Sequence, residues 1–377
     1  MDTAPVLFDK IGQGTMRIGR ARLNRVKQLN GINLEMVRLL SQQLRQWRSD
    51  TSIAAVILQA EGDKGFSAGG DVAEVIRQVR AGGDERFAYG DAFFEEEYIL
   101  DRMIHRYGKP FIVFSHGINM GGGMGLSAGA SHRIIAQASK VAMPEIHIGL
   151  FPDVGGGFFL NRLPPGVGMI MALTGLTINE SDAIYAGMFD AFIAKENWDA
   201  TIDHLTQLKF TQDWQHNHQL VSEWMLQHDA SLDDSMASSM LSHYAMALRW
   251  IGNQTSPQSM LEQLQRAAQD DPWFEAPAKS LEKGSPTAAL VSHRYLRACF
   301  HCSLEEVLSL DLVLARRFLR AQDFPEGVRA LLIDKDRKPA WQHRSFADVP
   351  NEEVAAHFAD LALSTIDERS IESHERT

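Results

Sequence analysis

The stretch "MPEIHIGLFPDVGGGFFL" (143–160) sets two carboxylates, Glu145 and Asp153, among apolar residues and follows them with three glycines. A surface loop carries acids cheaply and an apolar core excludes them. Their placement therefore suits a pocket in which a carboxylate serves as base, acid or nucleophile. Two more glycine runs, "AGGD" (68–71) and "GGG" (121–123), each end a strand-like run and begin a helix-like one. Glycine ahead of a helix lets backbone N–H groups approach a ligand closely, and the helix N-terminus adds partial positive charge. Two such turns brought together can aim one N–H each at a single oxygen, which is an oxyanion hole. The plainer alternatives are tight turns packed between layers for the glycines, a helix cap for Asp153 and a solvated loop carboxylate for Glu145.

Shorter patterns suggest other chemistry. "GFSAG" (65–69) and "GLSAG" (125–129) both match the G-x-S-x-G elbow that presents a serine nucleophile, Ser67 or Ser127. That elbow belongs at the end of a strand, whereas Ser127 falls inside a predicted helix and no His/Asp pair follows in a strand-end context. The run from Gly123 to Ala128 fits G-x-G-x-x-A, with Glu145 downstream as a ribose contact. Against it, two strand and helix units precede a motif that usually opens a dinucleotide fold, and a proline precedes the acid. Cys299 and Cys302 are the two cysteines of the chain. A lone CxxC can be redox-active or half of a zinc site, and with no second pair the reading is two ordinary helical residues one turn apart.

The elements that would position these residues alternate in the first half. "TMRIGRARLN" reads as a strand, and "NLEMVRLLSQQLRQWRSD" carries Leu34, Val37, Leu40, Leu44 and Trp47 at helical spacing. "IAAVILQAEG" is a buried strand, "KPFIVFSHGI" another, a helix opens near Gly122, and "HRIIAQASKVAMP" is a further strand. Residues 71–108 give two helices separated by a Gly-Gly-Asp turn. Repeated strand and helix units predict an α/β layered core. After about residue 200 helical patterns dominate, which divides the chain into a core at 1–200 and a helical region at 201–377.

A chain of 377 residues can bury a large core. Its net charge of -11 argues against broad nucleic-acid binding or adhesion to an anionic membrane. No apolar run approaches the ~18 residues of a membrane helix, and the amino-terminal residues lack a signal-like pattern. A soluble cytoplasmic protein is the expectation.

"FSAGGD", "HGINMGGGMGLSAG" and "MPEIHIGLFPDVGGGFFLNRLP" resemble the crotonase (enoyl-CoA hydratase/isomerase) superfamily, and "NRVKQLNGIN" resembles its N-terminal signature. Within it, "FFEEEYIL", "GLFPDVGGGFFL" and "EGVRALLIDKDRKPAW" (326–341) are similar to the 3-hydroxyisobutyryl-CoA hydrolase group. The resemblance implies a crotonase-like spiral of repeated ββα units with an α-helical C-terminal region. It implies a short 3-hydroxyacyl-CoA thioester as substrate, hydrolysed in valine catabolism, with a hydratase/isomerase or a non-catalytic acyl-CoA-binding member as alternatives.

By the same resemblance the oxyanion donors are the N–H groups of Gly70 and Gly122. Hydratases of the superfamily carry two glutamates, at the positions of Gly125 and Glu145. The first is missing here, which favours the hydrolase pattern, in which Glu145 and Asp153 stand beside Glu97. Glu145 is then nucleophile or base, and Asp153 with Glu97 holds the substrate's 3-hydroxyl. Arg25, Lys27 and Lys64 match positions that line the nucleotide end of coenzyme A, and each is also an ordinary solvated base. Val26 replaces the proline usual there, and "IDKD" around Lys335 is placed to close over the pocket. No metal and no cofactor are expected beyond the coenzyme A of the substrate. Homo-oligomers are frequent in the superfamily.

Overall fold

The structure, a computed structural model, describes residues 4–231 and 238–359. Of the region 201–377, residues 232–237 and 360–377 therefore lie outside the described residues. Among the described residues nine strands form two sheets: β1 (Val6–Ile11), β2 (Arg17–Leu23), β3 (Ile53–Ala60), β4 (Gly65–Ser67), β5 (Phe111–Ser115), β6 (Ile118–Met120), β7 (His132–Ile135), β8 (Lys140–Ala142) and β9 (Ala191–Phe192). The larger sheet has the order β1-β2-β3-β5-β7-β9 and the smaller β4-β6-β8. Only the β1–β2 pair is antiparallel.

The chain climbs as repeated units: one strand in the large sheet, one in the small sheet, then a helix or helical turn. β3 and β4 lead to α2 (Val72–Ala81), and β5 and β6 lead to a later helix (Gly122–Ala128). β7 and β8 lead to the short 3-10 turn Glu145–Ile148. This is the spiral of ββα units expected. Two runs expected as single strands are each split between the sheets. The break in "KPFIVFSHGI" falls at Gly117 and that in "HRIIAQASKVAMP" at Ala138, both at positive φ (54° and 56°). An extended run cannot pass through that conformation without turning.

Ile53–Ala60 reads as a continuous apolar run because the large sheet is covered on both faces. Val56 and Leu58 face one core with Val113 and Ile135, while Ala55 and Ile57 face another with Ile112 and Ile134. The first core takes in α1 (Leu34–Ser49), whose Leu34, Val37, Leu40, Leu44 and Trp47 are all buried. The second is closed by Trp198, Ile202 and Leu205 of one helix and Val221 and Trp224 of the next. A helix that spans residue 200 (Trp198–Leu205) and the one after it (Trp214–His228) thus cover one sheet face. Cys299 ends the helix Pro286–Ala298 and Cys302 lies in the turn beyond it, both as free thiols. They flank a turn and do not share a helix.

Candidate active site

The two glycine turns leave neighbouring parallel strands of the small sheet and meet. Ile32 brackets the first: its N–H donates to Gly69 O at 2.9 Å and its carbonyl accepts from Asp71 N at 2.7 Å. That pairing passes over the N–H of Gly70. At the second turn Gly121, at φ 51°, precedes the helix that starts at Gly122. Among the described residues neither the Gly70 N–H nor the Gly122 N–H bonds to another group of the fold. A Cβ placed on Gly122 would lie 3.1 Å from Gly70 N and 2.5 Å from Glu97 Oε1. One on Gly121 would lie 2.9 Å from Glu145 Oε1. Two unpaired donors and two carboxyls therefore share one small space, and only glycine leaves room for them.

Gly70, Gly122, Glu97, Glu145 and Asp153 line a single cavity of about 130 Å³, with Phe93, Phe94, Leu150 and Val154 supplying apolar wall. Glu145 opens the 3-10 turn, which is pinned from outside by the 2.6 Å contact of His147 Nε2 with Ser280 Oγ. Glu97 comes from α3 (Ala88–His105), counting the helices before it as α1 and α2. Asp153 does not cap the short helix Gly156–Phe159. Its carbonyl accepts from Gly156 N, and its side chain accepts from Tyr98 Oη at 2.6 Å.

Burial dominates the electrostatics. Glu97 and Glu145 are pushed well above the ordinary carboxylate range by desolvation and then by neighbouring acids, Asp101 first for Glu97 and Asp153 for Glu145. Asp153 is raised by desolvation to about 6, the Tyr98 hydroxyl holding it lower than burial alone would. One oxygen of Glu97 and one of Glu145 have no partner among the described residues, so both are open to a ligand.

Several contributors were not anticipated. Tyr98 and Asp101 lie on the buried side of α3, and Tyr98 follows Glu97 directly in "EEEY". Asp101 stands four residues beyond Glu97, the helical spacing that puts two side chains on one face. The helical region contributes Asp311, whose carboxylate accepts from Gly155 N at 2.8 Å and from Tyr295 Oη at 2.5 Å. Tyr295 Oη in turn accepts from Gly157 N at 2.7 Å. The signal available for Asp311 was an acid inside the apolar run "LSLDLVLA".

The outer residues separate. Lys27 and Lys64 line a second, basic cleft together with Lys140, Lys195 and His116. Arg25 is turned inward, pairing with Asp71 at 2.9 Å and bonding the Gly31 carbonyl, and is not part of that cleft. The late motif meets the reaction cavity through Leu331 and Leu332 of the π-helical turn Arg329–Ile333, not through Lys335.

The other chemistries lose their geometry. Ser127 is fully buried, donates to Gly123 O and accepts from Asn119 Nδ2. Ser67 donates to Asn30 O. Among the described residues neither serine has a histidine partner. A Cβ on Gly123 would meet Asn119 Oδ1 at 2.7 Å, so this glycine serves internal packing and not the approach of a pyrophosphate. Cys299 has its thiol pKa pushed up by burial, the opposite of a reactive thiolate. Among the described residues no group of His, Cys, Asp and Glu is disposed to hold a metal ion.

The chain resembles known proteins over most of its length. The chain is 35% identical over 367 residues to the mitochondrial 3-hydroxyisobutyryl-CoA hydrolase of Danio rerio, covering 97% of this chain and 91% of the relative. It is 34% identical over 349 residues to that of Homo sapiens, covering 92% and 88%. A crystal structure of an enoyl-CoA hydratase from Rhodobacter sphaeroides 2.4.1 superposes with a TM-score of 0.81 at 32% identity, covering 95% of this chain and 98% of that one. The hydrolase relatives are named as mitochondrial, which overturns the cytoplasmic expectation. The lack of a membrane or signal-like run does not specify the cytoplasm. The Enoyl-CoA hydratase/isomerase profile matches residues 18–358, and with relatives at this identity over nearly the full length the chain belongs to the enoyl-CoA hydratase/isomerase family.

Proposed function

We propose that this protein hydrolyses a short 3-hydroxyacyl-CoA thioester, 3-hydroxyisobutyryl-CoA, to 3-hydroxyisobutyrate and CoA, a step of valine breakdown. The observation that carries the reading is the meeting of the Gly70 and Gly122 N–H groups beside Glu145 and Glu97. The thioester oxygen sits between the two donors, which stabilise the negative charge it acquires. Glu145 attacks the carbonyl carbon, giving a mixed anhydride and a thiolate, or draws a proton from an attacking water. Coupled buried acids share their protons, and the reaction uses the arrangement in which Glu145 carries the carboxylate charge while Glu97, held high by burial and by Asp101, keeps its proton. Asp153, oriented by Tyr98, accepts from the 3-hydroxyl, and Glu97 supplies a proton to the leaving sulfur. An acyl group without that hydroxyl would leave a buried acid unmatched, a strong discrimination.

The cavity of about 130 Å³ suits a short acyl group. Lys27 and Lys64, with Lys140 and Lys195, offer the positive charge that a nucleotide phosphate needs. The reading calls for no cofactor, since donors, nucleophile and acids are all groups of this chain. It includes self-association, to be checked by light scattering. Hydratase chemistry is disfavoured by Gly125, where a side chain would strike Asp101 Oδ2 and Val154 Cβ, each 2.8 Å from its Cβ.

The test is thiol release from a panel of acyl-CoA thioesters with and without the 3-hydroxyl. Release from 3-hydroxyisobutyryl-CoA is expected, falling at least ~100-fold in Glu145→Gln. Absorbance change of an enoyl thioester without free thiol would move the protein to the hydratases instead.

A further inference from the structure

Behind the reaction cavity lies a second one of about 260 Å³, walled chiefly by Met124, Gly125, Ala128, Phe158, Leu304 and Asp101. Most polar groups at its edge are already engaged. Arg133 forms a forked pair with Asp190 at 2.6 and 3.0 Å, and Arg162 lies 3.4 Å over the Phe158 ring while donating to the Phe158 carbonyl. Asp101 differs. It is only 5% exposed, and both of its carboxyl oxygens lack a partner among the described residues.

A buried polar group left unmatched is costly, and such groups in folded proteins are normally satisfied, by water where no protein group reaches them. The cavity beside Asp101 has room for several waters, each occupying about 30 Å³ in the liquid. Asp101 also stands at the partition between the two cavities. Its Oδ2 would lie 2.8 Å from a Cβ on Gly125, and Val154, at the same distance from that Cβ, lines both spaces. Hydrolysis consumes a water at a carbonyl carbon while the thioester's coenzyme arm occupies the approach used by the substrate. A supply from behind meets that need.

We propose that the rear cavity is the water reservoir of the hydrolysis and that Asp101 is a positioning residue holding water at the partition. The inference rests on the hydrolase reading. In the step it serves, the water oxygen bonds the acyl carbon. The bond from that carbon to its leaving group, the thiolate sulfur or the Glu145 oxygen of a mixed anhydride, breaks with its electron pair. The proton lost by the water ends on that leaving group.

Three variants test it by steady-state thiol release from 3-hydroxyisobutyryl-CoA. Asp101→Leu removes the hydrogen-bonding oxygens while keeping the branching at Cγ, and Ala128→Leu fills the cavity without altering Asp101. Each is expected to lower kcat ~10-fold or more with KM within about twofold, the pattern of a lost step after binding. Asp101→Asn, which still bonds water, is expected to recover most of kcat, a rescue that a merely structural role would not require. If Asp101→Leu does not fold, as judged by its urea transition, Ala128→Leu decides. Variants matching the wild-type kcat, or Asp101→Asn as damaging as Asp101→Leu, would overturn the reservoir. A wild type that releases no thiol from any substrate sinks the hydrolase reading itself, a result distinct from either.

Discussion

At Gly122 one added carbon discriminates between a structural turn and a working one. Its Cβ would sit 2.5 Å from Glu97 Oε1 and 3.1 Å from Gly70 N, so Gly122→Ala must displace an acid or pull a donor off its line. Losing one such donor costs about 10²–10³ in kcat, and that fall, with little change in the urea midpoint, is the expected result. Asp153 makes a prediction about stability. Burial lifts its pKa from 3.8 to about 6, so the native state keeps this proton where the unfolded chain has lost it. Its contribution to stability is therefore full below 3.8 and is lost as pH rises through about 6. Asp153→Asn should accordingly be more stable than the wild type at pH 8, by roughly 1–3 kcal/mol. The advantage should shrink as the pH is lowered through 6 toward 4, as read from urea unfolding at each pH. Glu145 and Asp153 were legible because their oddity is local, acids within an apolar run. Asp101 was not, since an acid on a helix next to Arg102 looks solvated until the helix is seen to be buried on that side.

Helices far away in sequence hold the turn that presents Asp153. Gly155 is at φ 81° and its N–H, with that of Gly157, is satisfied by Asp311 and Tyr295 and not by any residue of the turn. The sequence shows the three glycines but not their partners, because the hydrogen bonds cross 156 and 138 residues. Tyr295→Phe removes the acceptor for the buried Gly157 N–H and one donor to the buried Asp311. A cost of about 1–3 kcal/mol in urea unfolding is expected. If the network serves the site as well as the fold, kcat drops with it, because the turn carries the acid, while unchanged kcat in a destabilised protein would confine it to folding. The strands and helices of the spiral were mostly readable from period and turn residues. The two splits at Gly117 and Ala138 were missed because an apolar run that changes sheets keeps its composition and changes only its backbone angle.

The whole molecule depends on both halves. Strand signals end near residue 200, and this marks a change of element type. The packing continues across it: Leu205, Val221 and Trp224 cover the sheet face made by Ala55, Ile57, Ile112 and Ile134, while Leu308, Leu314 and Phe318 join the core on the other side. Composition records which elements a segment forms but not which surface they cover, so the helical region was visible and its docking was not. A chain ending at residue 200 would expose one face of the large sheet and leave the Gly155 and Gly157 N–H groups unpaired. Such a fragment is expected to show no cooperative urea transition by circular dichroism, whereas the full chain shows one. A fragment that unfolds cooperatively, with a denaturant slope scaled to its own length, would mean that the spiral is self-sufficient. The helical region would then be an accessory to the site and not part of the fold.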